Sequence, residues 1–216
     1  MNVRGRAFVF GDKIDTDVLA PGPYMRSPIS VLASHCLEAV DPGFAREVRP
    51  GDVVIAGNSF GIGSSREQAV QALSTLGVGA LLAKSFARIF YRNALNLGMP
   101  ALVCPNLEAN RGDDIEVRPA AGVVINHTLG REFACQKIPA ELLDIIEVGG
   151  MMPWLKRKLA REQPACRKPP SIAECRMHPD SFMDSAMRAP APRAHMGSDR
   201  LRISPATAFR SQTHGC

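Results

Sequence analysis

The sequence lacks any hydrophobic run close to the roughly 18 residues that a membrane-spanning helix needs. Its apolar stretch at residues 7–10 is also too short for the core of a signal peptide. We therefore expect a cytoplasmic protein that does not enter a membrane. None of the 6 cysteines forms a CxxC pair, and 216 residues is long for a disulfide-stapled scaffold, so reduced thiols are expected.

Branched apolar residues are scarce in the C-terminal part of the chain. Residues 163–216 contain no Val and only three residues of the Ile and Leu types, too few to build a core. We expect a folded domain over residues 1–162 and a disordered Pro/Arg-rich tail over residues 163–216. The tail supplies +4 of the net charge of +5. Because the body is nearly neutral, its charge argues against nucleic-acid binding.

The middle of the chain alternates short apolar runs with amphipathic segments. This pattern predicts strands at 53–56, 80–83 and 101–103, with helices over 65–76 and 86–97 between them. A β-α-β-α-β order implies right-handed crossovers and parallel strands. Later runs predict antiparallel strands at 114–118, 123–126 and 132–136 and helices over 141–148 and 154–160. The fold class predicted is α/β with a mixed sheet.

The first 40 residues are less regular. A short strand fits residues 6–10, and a helix fits residues 29–40. Between them, residues 12–28 contain three prolines, which predict a loop without regular structure.

A glycine-rich loop at residues 57–63 joins a predicted strand to a predicted helix. Unpaired N–H groups and the positive dipole end at such a helix start favour a bound anion. The loop lacks the Lys of a P-loop and the third glycine of a dinucleotide fingerprint, so nucleotide binding is disfavoured. Spacing alone favours a purely structural explanation, because Ser64-x-x-Glu67 fits a capping box. However, Arg66 beside Ser64 and Ser65 suits a substrate carboxylate, in a field that favours a serine alkoxide.

Four motifs in this order resemble the small-subunit branch of the aconitase family, which comprises 3-isopropylmalate dehydratases and homoaconitases. They are DKIDTD at 12–17, PYMR at 23–26, GIGSSREQ at 61–68 and KSFARIFYRN at 84–93. The resemblance covers about residues 1–161. It implies an aconitase-type swivelling β/β/α domain that closes over a large subunit, in a heterodimer or heterotetramer.

The resemblance also implies a four-iron four-sulfur cluster on that large subunit, acting as a Lewis acid on a small hydroxy-acid substrate. The body of this chain has no cysteine triplet that could hold such a cluster. We therefore expect a chain that binds no metal or cofactor itself and forms half of a hydro-lyase.

Four residues receive roles from the resemblance. Ser64 would be the base that removes a proton next to a carboxylate and later returns one to the neighbouring carbon, so that water leaves and re-adds. Arg66 would hold a substrate carboxylate, and Asp17 would belong to the active site, with an Asx turn as its structural alternative. Ser65 would contact substrate or cap the helix.

Two features near these motifs carry further expectations. Ile62 stands where many family members have Cys, and we expect a buried apolar residue to replace that thiol. Arg88 and Arg92 share one face of the helix predicted at 86–97, which indicates a solvated or subunit-facing surface rather than a site.

Tyr24 and Arg26 are further candidate substrate-binding residues, and the residues after Tyr24 bear on which substrate is bound. Isopropylmalate-type relatives are often apolar just past this Tyr, whereas homoaconitase-type members resemble Tyr-Leu-Arg-Thr, and this chain has Met25 and Arg26 there. A buried Arg26 would favour a third carboxylate, unless it points to solvent from its Pro-rich loop. Because most small subunits of this kind serve leucine biosynthesis, 3-isopropylmalate is the first expectation. Homoaconitate or dimethylmalate is the second.

Two alternatives to an active subunit stay open. One is a non-enzymatic module whose basic tail binds nucleic acid; truncation near residue 162 or added salt would abolish such binding but not hydro-lyase activity. The other is a degenerate subunit whose long tail blocks docking.

Overall fold

A computed structural model describes residues 2–162, which fold around one seven-stranded mixed sheet. The strands are β1 (Val3–Val9), β2 (Val53–Ala56), β3 (Ala80–Ala83), β4 (Ala101–Val103), β5 (Asp114–Arg118), β6 (Val123–Asn126) and β7 (Arg131–Ala134). The helices are α1 (Thr16–Leu19), α2 (Ile29–Ser34), α3 (Phe44–Glu47), α4 (Glu67–Thr75), α5 (Arg88–Asn96), α6 (Ala140–Glu147) and α7 (Met151–Glu162).

The strand order is β4-β3-β2-β1-β5-β6-β7. Neighbouring strands are parallel from β4 to β1. The remaining three pairs, β1 with β5, β5 with β6 and β6 with β7, are antiparallel. The mixed α/β sheet predicted from the sequence is therefore confirmed. Strands β2, β3 and β4 have the predicted bounds, because each is a continuous apolar run that is largely buried on both faces of the sheet.

Two apolar cores lie on opposite faces of the parallel strands. Along β2, Val54 packs with Phe44 and Leu73 into one core, whereas Val53 and Ile55 pack into the other. The first core is covered by residues of α2 and α4, and the second includes Ile146 of α6. The strand alternation thus fixes which helix covers which face of the sheet.

The two edge strands of the sheet meet at one end. The Gln136 N–H donates to the carbonyl of Val103 at 2.9 Å. Next to it, Cys104 and Cys135 form a disulfide with a Cα–Cα distance of 4.5 Å, inside the range that the bond requires. The expectation of reduced thiols is therefore wrong for this pair, because the fold juxtaposes two cysteines that lie 31 residues apart. A disulfide is uncommon in cytosolic proteins, and the cytoplasmic location stays a prediction.

The segment 12–28 is more regular than its prolines predicted. It contains the one-turn helix α1 and a 3₁₀ turn over Gly22–Tyr24, so the prediction of a loop without regular structure is wrong. The Asp15 carboxylate accepts the Val18 N–H at 2.8 Å and starts α1. Pro23 fits the first turn of the 3₁₀ segment because an N–H there has no partner within the helix.

Three predicted helices are shorter than expected. Helix α2 ends at Ser34 rather than residue 40, where Leu37 with a φ of 62° interrupts any helix. Helices α4 and α5 begin at Glu67 and Arg88, two residues later than predicted, because Arg66 and Ala87 have extended backbones.

Among residues 2–162, no helix is long and apolar enough to cross a lipid bilayer. The tail predicted over residues 163–216 lies outside the described residues.

Candidate active site

The glycine-rich loop packs against the DKIDTD segment. Gly61 donates its N–H to the Ile14 carbonyl at 2.8 Å, and Thr16 donates to the Ile62 carbonyl at 2.8 Å. These two bonds form a short parallel bridge outside the sheet. Residues 12–17 and 61–66, which are far apart in sequence, are therefore held side by side.

The opposite side of the loop packs against the start of the KSFARIFYRN segment. Phe60 donates to the Ser85 carbonyl at 3.0 Å, and Ala87 donates to the Phe60 carbonyl at 2.9 Å. Gly61 lies directly on the Phe90 ring: a Cβ at position 61 would come within 2.1 Å of that ring, and the φ of Gly61 is +77°. Glycine is required here by both space and conformation.

Asp12 holds the beginning of the loop. Its carboxylate accepts hydrogen bonds from the Asn58 N–H at 2.6 Å and the Asn58 side-chain amide at 3.2 Å. These bonds, the backbone one foremost, lower the pKa of Asp12, so the carboxylate stays charged at neutral pH. The sequence placed Asp12 in a motif but did not indicate this role.

The start of α4 does not contain the capping box. Arg66 occupies the N-cap position without a side-chain cap, and the Glu67 carboxylate accepts forward from Gln71 at 3.3 Å. The Arg66 N–H donates to the Ser64 carbonyl at 2.8 Å, which places Ser64 outside the helix. The capping-box explanation is therefore wrong, and the cap role considered for Ser65 is not seen. Both serines are exposed.

Arg66 and Asp17 form an ion pair between the guanidinium Nη1 and the carboxylate. The same Nη1 donates to the Ala20 carbonyl at 2.9 Å. The Arg66 side chain is 22% exposed, whereas that of Asp17 is 66% exposed. Asp15 rather than Asp17 makes the turn-capping bond, so the Asx-turn alternative for Asp17 is not supported.

The ion pair leaves one edge of Arg66 for a ligand. Because both described bonds use Nη1, the Nε–H and Nη2–H groups remain, and they form the fork that binds a carboxylate with two parallel bonds. The loop thus joins three of the predicted site residues, Ser64, Ser65 and Arg66, to Asp17.

Ile62 is 41% exposed beside this group. The expectation that it is buried is wrong, because its carbonyl and not its side chain faces the α1 segment. An apolar side chain at the surface of the loop is available to a bound partner.

Tyr24 and Arg26 lie apart from this group. The Tyr24 ring stacks on His35 with centroids 3.7 Å apart and packs against the apolar core. Arg26 is exposed, as the solvent-facing alternative predicted. No described contact joins either residue to Ser64 or Arg66.

The residues of the described part of the chain do not fit a metal cluster. Between residues 2 and 162 no group of three His, Cys, Asp or Glu side chains is placed to bind a metal ion. Of the cysteines in this part, Cys36 is buried, with burial raising its pKa to about 12, and Cys104 and Cys135 are bonded to each other.

Comparison with known proteins places this geometry in context. Residues 41–107 match the aconitase C-terminal domain. The chain is 46% identical over 159 residues to 3-isopropylmalate dehydratase small subunit 2 of Archaeoglobus fulgidus, covering 73% of this chain and 96% of that protein. It is 45% identical over 151 residues to the methanogen homoaconitase small subunit of Methanothermobacter thermautotrophicus, covering 69% and 88%.

A solved structure has the same fold. The crystal structure of a 3-isopropylmalate dehydratase from Methanocaldococcus jannaschii matches with a TM-score of 0.70 and 42% identity, covering 74% of this chain and 98% of that chain. The matched length agrees with the extent of the described domain.

Proposed function

We propose that this chain, which belongs to the small-subunit family of 3-isopropylmalate dehydratases and homoaconitases, supplies the proton-transferring half of a hydro-lyase active site. The chain is the small subunit of such a hydro-lyase. Its reaction removes water from a 2-hydroxy acid and adds it back with the hydroxyl and hydrogen exchanged between two carbons.

The observation that carries this proposal is the state of the loop at residues 61–66. The Ser64 and Ser65 hydroxyls are exposed and neither caps α4, while Arg66 is fixed by Asp17 and the Ala20 carbonyl. A purely structural helix start would use a serine as its cap. Here neither serine caps the helix, and Arg66, which follows them in the chain, has an Nε and Nη2 edge suited to a carboxylate.

We assign the proton transfer to Ser64. In its alkoxide form Ser64 takes the proton from the carbon next to a substrate carboxylate and becomes a hydroxyl. The neighbouring carbon loses its hydroxyl with the bonding electron pair, and an acid of the partner subunit protonates this hydroxyl so that it leaves as water. Re-addition of water to the unsaturated acid reverses both steps on the exchanged carbons. Arg66 holds the carboxylate through Nε and Nη2 and, with the N-terminus of α4, favours the charged form of Ser64.

The departing hydroxyl needs an electrophile, which we place on a large subunit. The resemblance to the aconitase family implies that this electrophile is a four-iron four-sulfur cluster, which supplies Lewis-acid chemistry when bound. Because the described residues of this chain do not fit a cluster, the complete site requires a partner. We propose a heterodimer or heterotetramer in the cytoplasm.

The substrate that we propose is 3-isopropylmalate, in the pathway to leucine. Exposed Arg26 makes no described contact that would commit it to a third carboxylate. The presence of an arginine at this position nevertheless favours a second candidate, homoaconitate, with dimethylmalate as a further substrate to test. Replacement Arg26→Ala separates the two candidates: it lowers kcat/KM for a tricarboxylate but not for isopropylmalate.

The test is reconstitution of the complete enzyme. The full chain is co-expressed anaerobically with a large subunit of the family, the cluster is reconstituted, and the absorbance of the unsaturated intermediate is followed. The substrates are isopropylmalate, homoisocitrate and dimethylmalate. Activity should need both subunits and fall about 10²–10⁴-fold in Ser64→Ala, as expected for loss of an acid–base group.

A matched control comes from α4 itself. Ser74 is exposed near the C-terminal end of α4, ten residues after Ser64, and Ser74→Ala should keep full activity. Full activity in Ser64→Ala, or no turnover with any large subunit although the chains associate, would contradict the proposal.

A further inference from the structure

Thr16 carries a buried hydroxyl that nothing in the proposed reaction explains. The residue is only 1% exposed. Among the side-chain nitrogen and oxygen atoms buried within residues 2–162, Thr16 Oγ1 is the one without a hydrogen-bond partner. A valine would fill the same space without leaving a polar atom unsatisfied, so packing alone does not account for a threonine.

The position of this hydroxyl relates it to the proposed base. The Thr16 N–H donates to the Ile62 carbonyl at 2.8 Å, which fixes Thr16 against the loop. A Cβ added to Gly63 would lie 3.0 Å from Thr16 Oγ1, so the hydroxyl lies under the residue that precedes Ser64. The unsatisfied group therefore lies beside Gly63, the residue before Ser64.

The peptide itself can supply the missing partner. Within the described residues, the Ser64 N–H donates to no protein acceptor. Gly63 has a φ of +106°, a conformation that other residues rarely adopt, and the absence of a side chain lets the peptide turn over Thr16 without a clash. The Ser64 N–H and Thr16 Oγ1 are thus a donor and an acceptor without described partners, and both are adjacent to Gly63.

We infer that Thr16 is a positioning residue for Ser64. The Thr16 hydroxyl oxygen accepts a hydrogen bond from the Ser64 N–H when the loop binds substrate. This bond would fix the direction of the Ser64 side chain during proton transfer. In the free subunit the hydroxyl stays unsatisfied, and the lost bond is recovered only in the working complex. The inference rests on the proposed role of Ser64.

The test compares Thr16→Val and Thr16→Ser in the reconstituted two-subunit enzyme. Removal of a hydroxyl that has no partner should leave the melting temperature of the isolated chain unchanged or raise it. The kcat should nevertheless fall about 10-fold, the loss of one hydrogen bond in the working state, with KM changed less than 3-fold. Thr16→Ser keeps the hydroxyl and should retain kcat within about 3-fold.

Each outcome decides between the alternatives. Wild-type kcat in Thr16→Val overturns the inference while leaving the proposed function intact, because the wild-type complex is active in the same assay. A melting temperature lowered by several degrees in Thr16→Val also overturns it, since the hydroxyl would then have a partner in the free chain. An equal loss of kcat in Thr16→Ser would assign the effect to packing of the methyl group and not to the hydroxyl. An inactive wild-type complex would remove the premise and refute both proposals.

Discussion

The start of α4 gives the sharpest test of whether Ser64 is held for chemistry or for helix stability. Replacing a serine that caps a helix with alanine lowers the stability of the protein by about 1 kcal/mol, within a range of about 0.5–2 kcal/mol. In this structure Ser64 lies outside α4 and Arg66 is the N-cap. We therefore expect Ser64→Ala to change the free energy of unfolding by less than about 0.5 kcal/mol, the usual effect of a surface substitution.

The partner in the supposed capping box provides the matched control. Glu67 faces Gln71 and lies in the first turn of α4, so Glu67→Ala should cost about 0.5–1 kcal/mol through the lost pair and the helix dipole. If Ser64 and Glu67 do not interact, the double variant loses the sum of the two single losses. A capping box would instead produce a coupling energy of about 0.5 kcal/mol or more.

Urea denaturation of the full chain, followed by circular dichroism, measures all four free energies. Activity of the same variants is measured after assembly with the large subunit. We expect Ser64→Ala to be as stable as wild type but inactive, and Glu67→Ala to be less stable but active. A loss near 1 kcal/mol in Ser64→Ala, coupled to Glu67, would refute the reasoning and restore the structural explanation of the motif.

Three further predictions concern stability. Cys104→Ser should lower the free energy of unfolding by about 3–4 kcal/mol in oxidising buffer, the loop-closure value for a separation of 31 residues. Dithiothreitol should lower the free energy of unfolding of the wild type by the same amount. A wild type whose stability does not change in dithiothreitol would contradict the disulfide. Gly61→Ala should cost about 2–4 kcal/mol because it meets the Phe90 ring at positive φ, and a variant that melts with the wild type would contradict this steric argument. Burial of Asp52 raises the pKa of its carboxyl, but hydrogen bonds from Arg6 and Arg49 outweigh it and lower that pKa. Asp52→Asn should therefore be about 1.5–3 kcal/mol less stable at pH 7, and the difference should shrink as the pH falls through the acid range below about 4; a gap independent of pH would contradict it.

The parallel half of the fold could be predicted from the sequence because its signals are local. The runs at β2, β3 and β4 are apolar throughout, and Gly57, Lys84 and the Cys104-Pro105 pair follow them, so the strand bounds follow from composition. The starts of α4 and α5 were predicted two residues early. Hydrogen bonds of Phe60 to Ser85 and Ala87 hold the chain extended just before α5, and such long-range bonds leave no periodic trace.

The proposed site residues were identified through motifs, and their arrangement was not. Asp17 and Arg66 were identified separately, 49 residues apart, and only the packing of α1 beside the loop shows that they pair. The disulfide was missed for the same reason, since a separation of 31 residues contains no signal that the edges of the sheet meet. Charge and thiol pairings depend on register between distant segments, which short-range patterns do not encode.

The ion pair between Asp17 and Arg66 also bears on why a small subunit should be inactive alone. A carboxylate on Nη1 offsets the positive charge that Arg66 would otherwise present to Ser64, so the field that favours a serine alkoxide is weakened in the free chain. Asp17 is the more exposed partner, and water screens its side of the pair while it remains open to solvent. Binding of a substrate carboxylate on the Nε and Nη2 edge would offset more of this charge, so we expect groups of the large subunit that closes the cleft to complete the positive field at Ser64. The basicity of Ser64 is thus expected to develop only in the closed complex, and this restricts proton abstraction to a site in which the departing hydroxyl is also held.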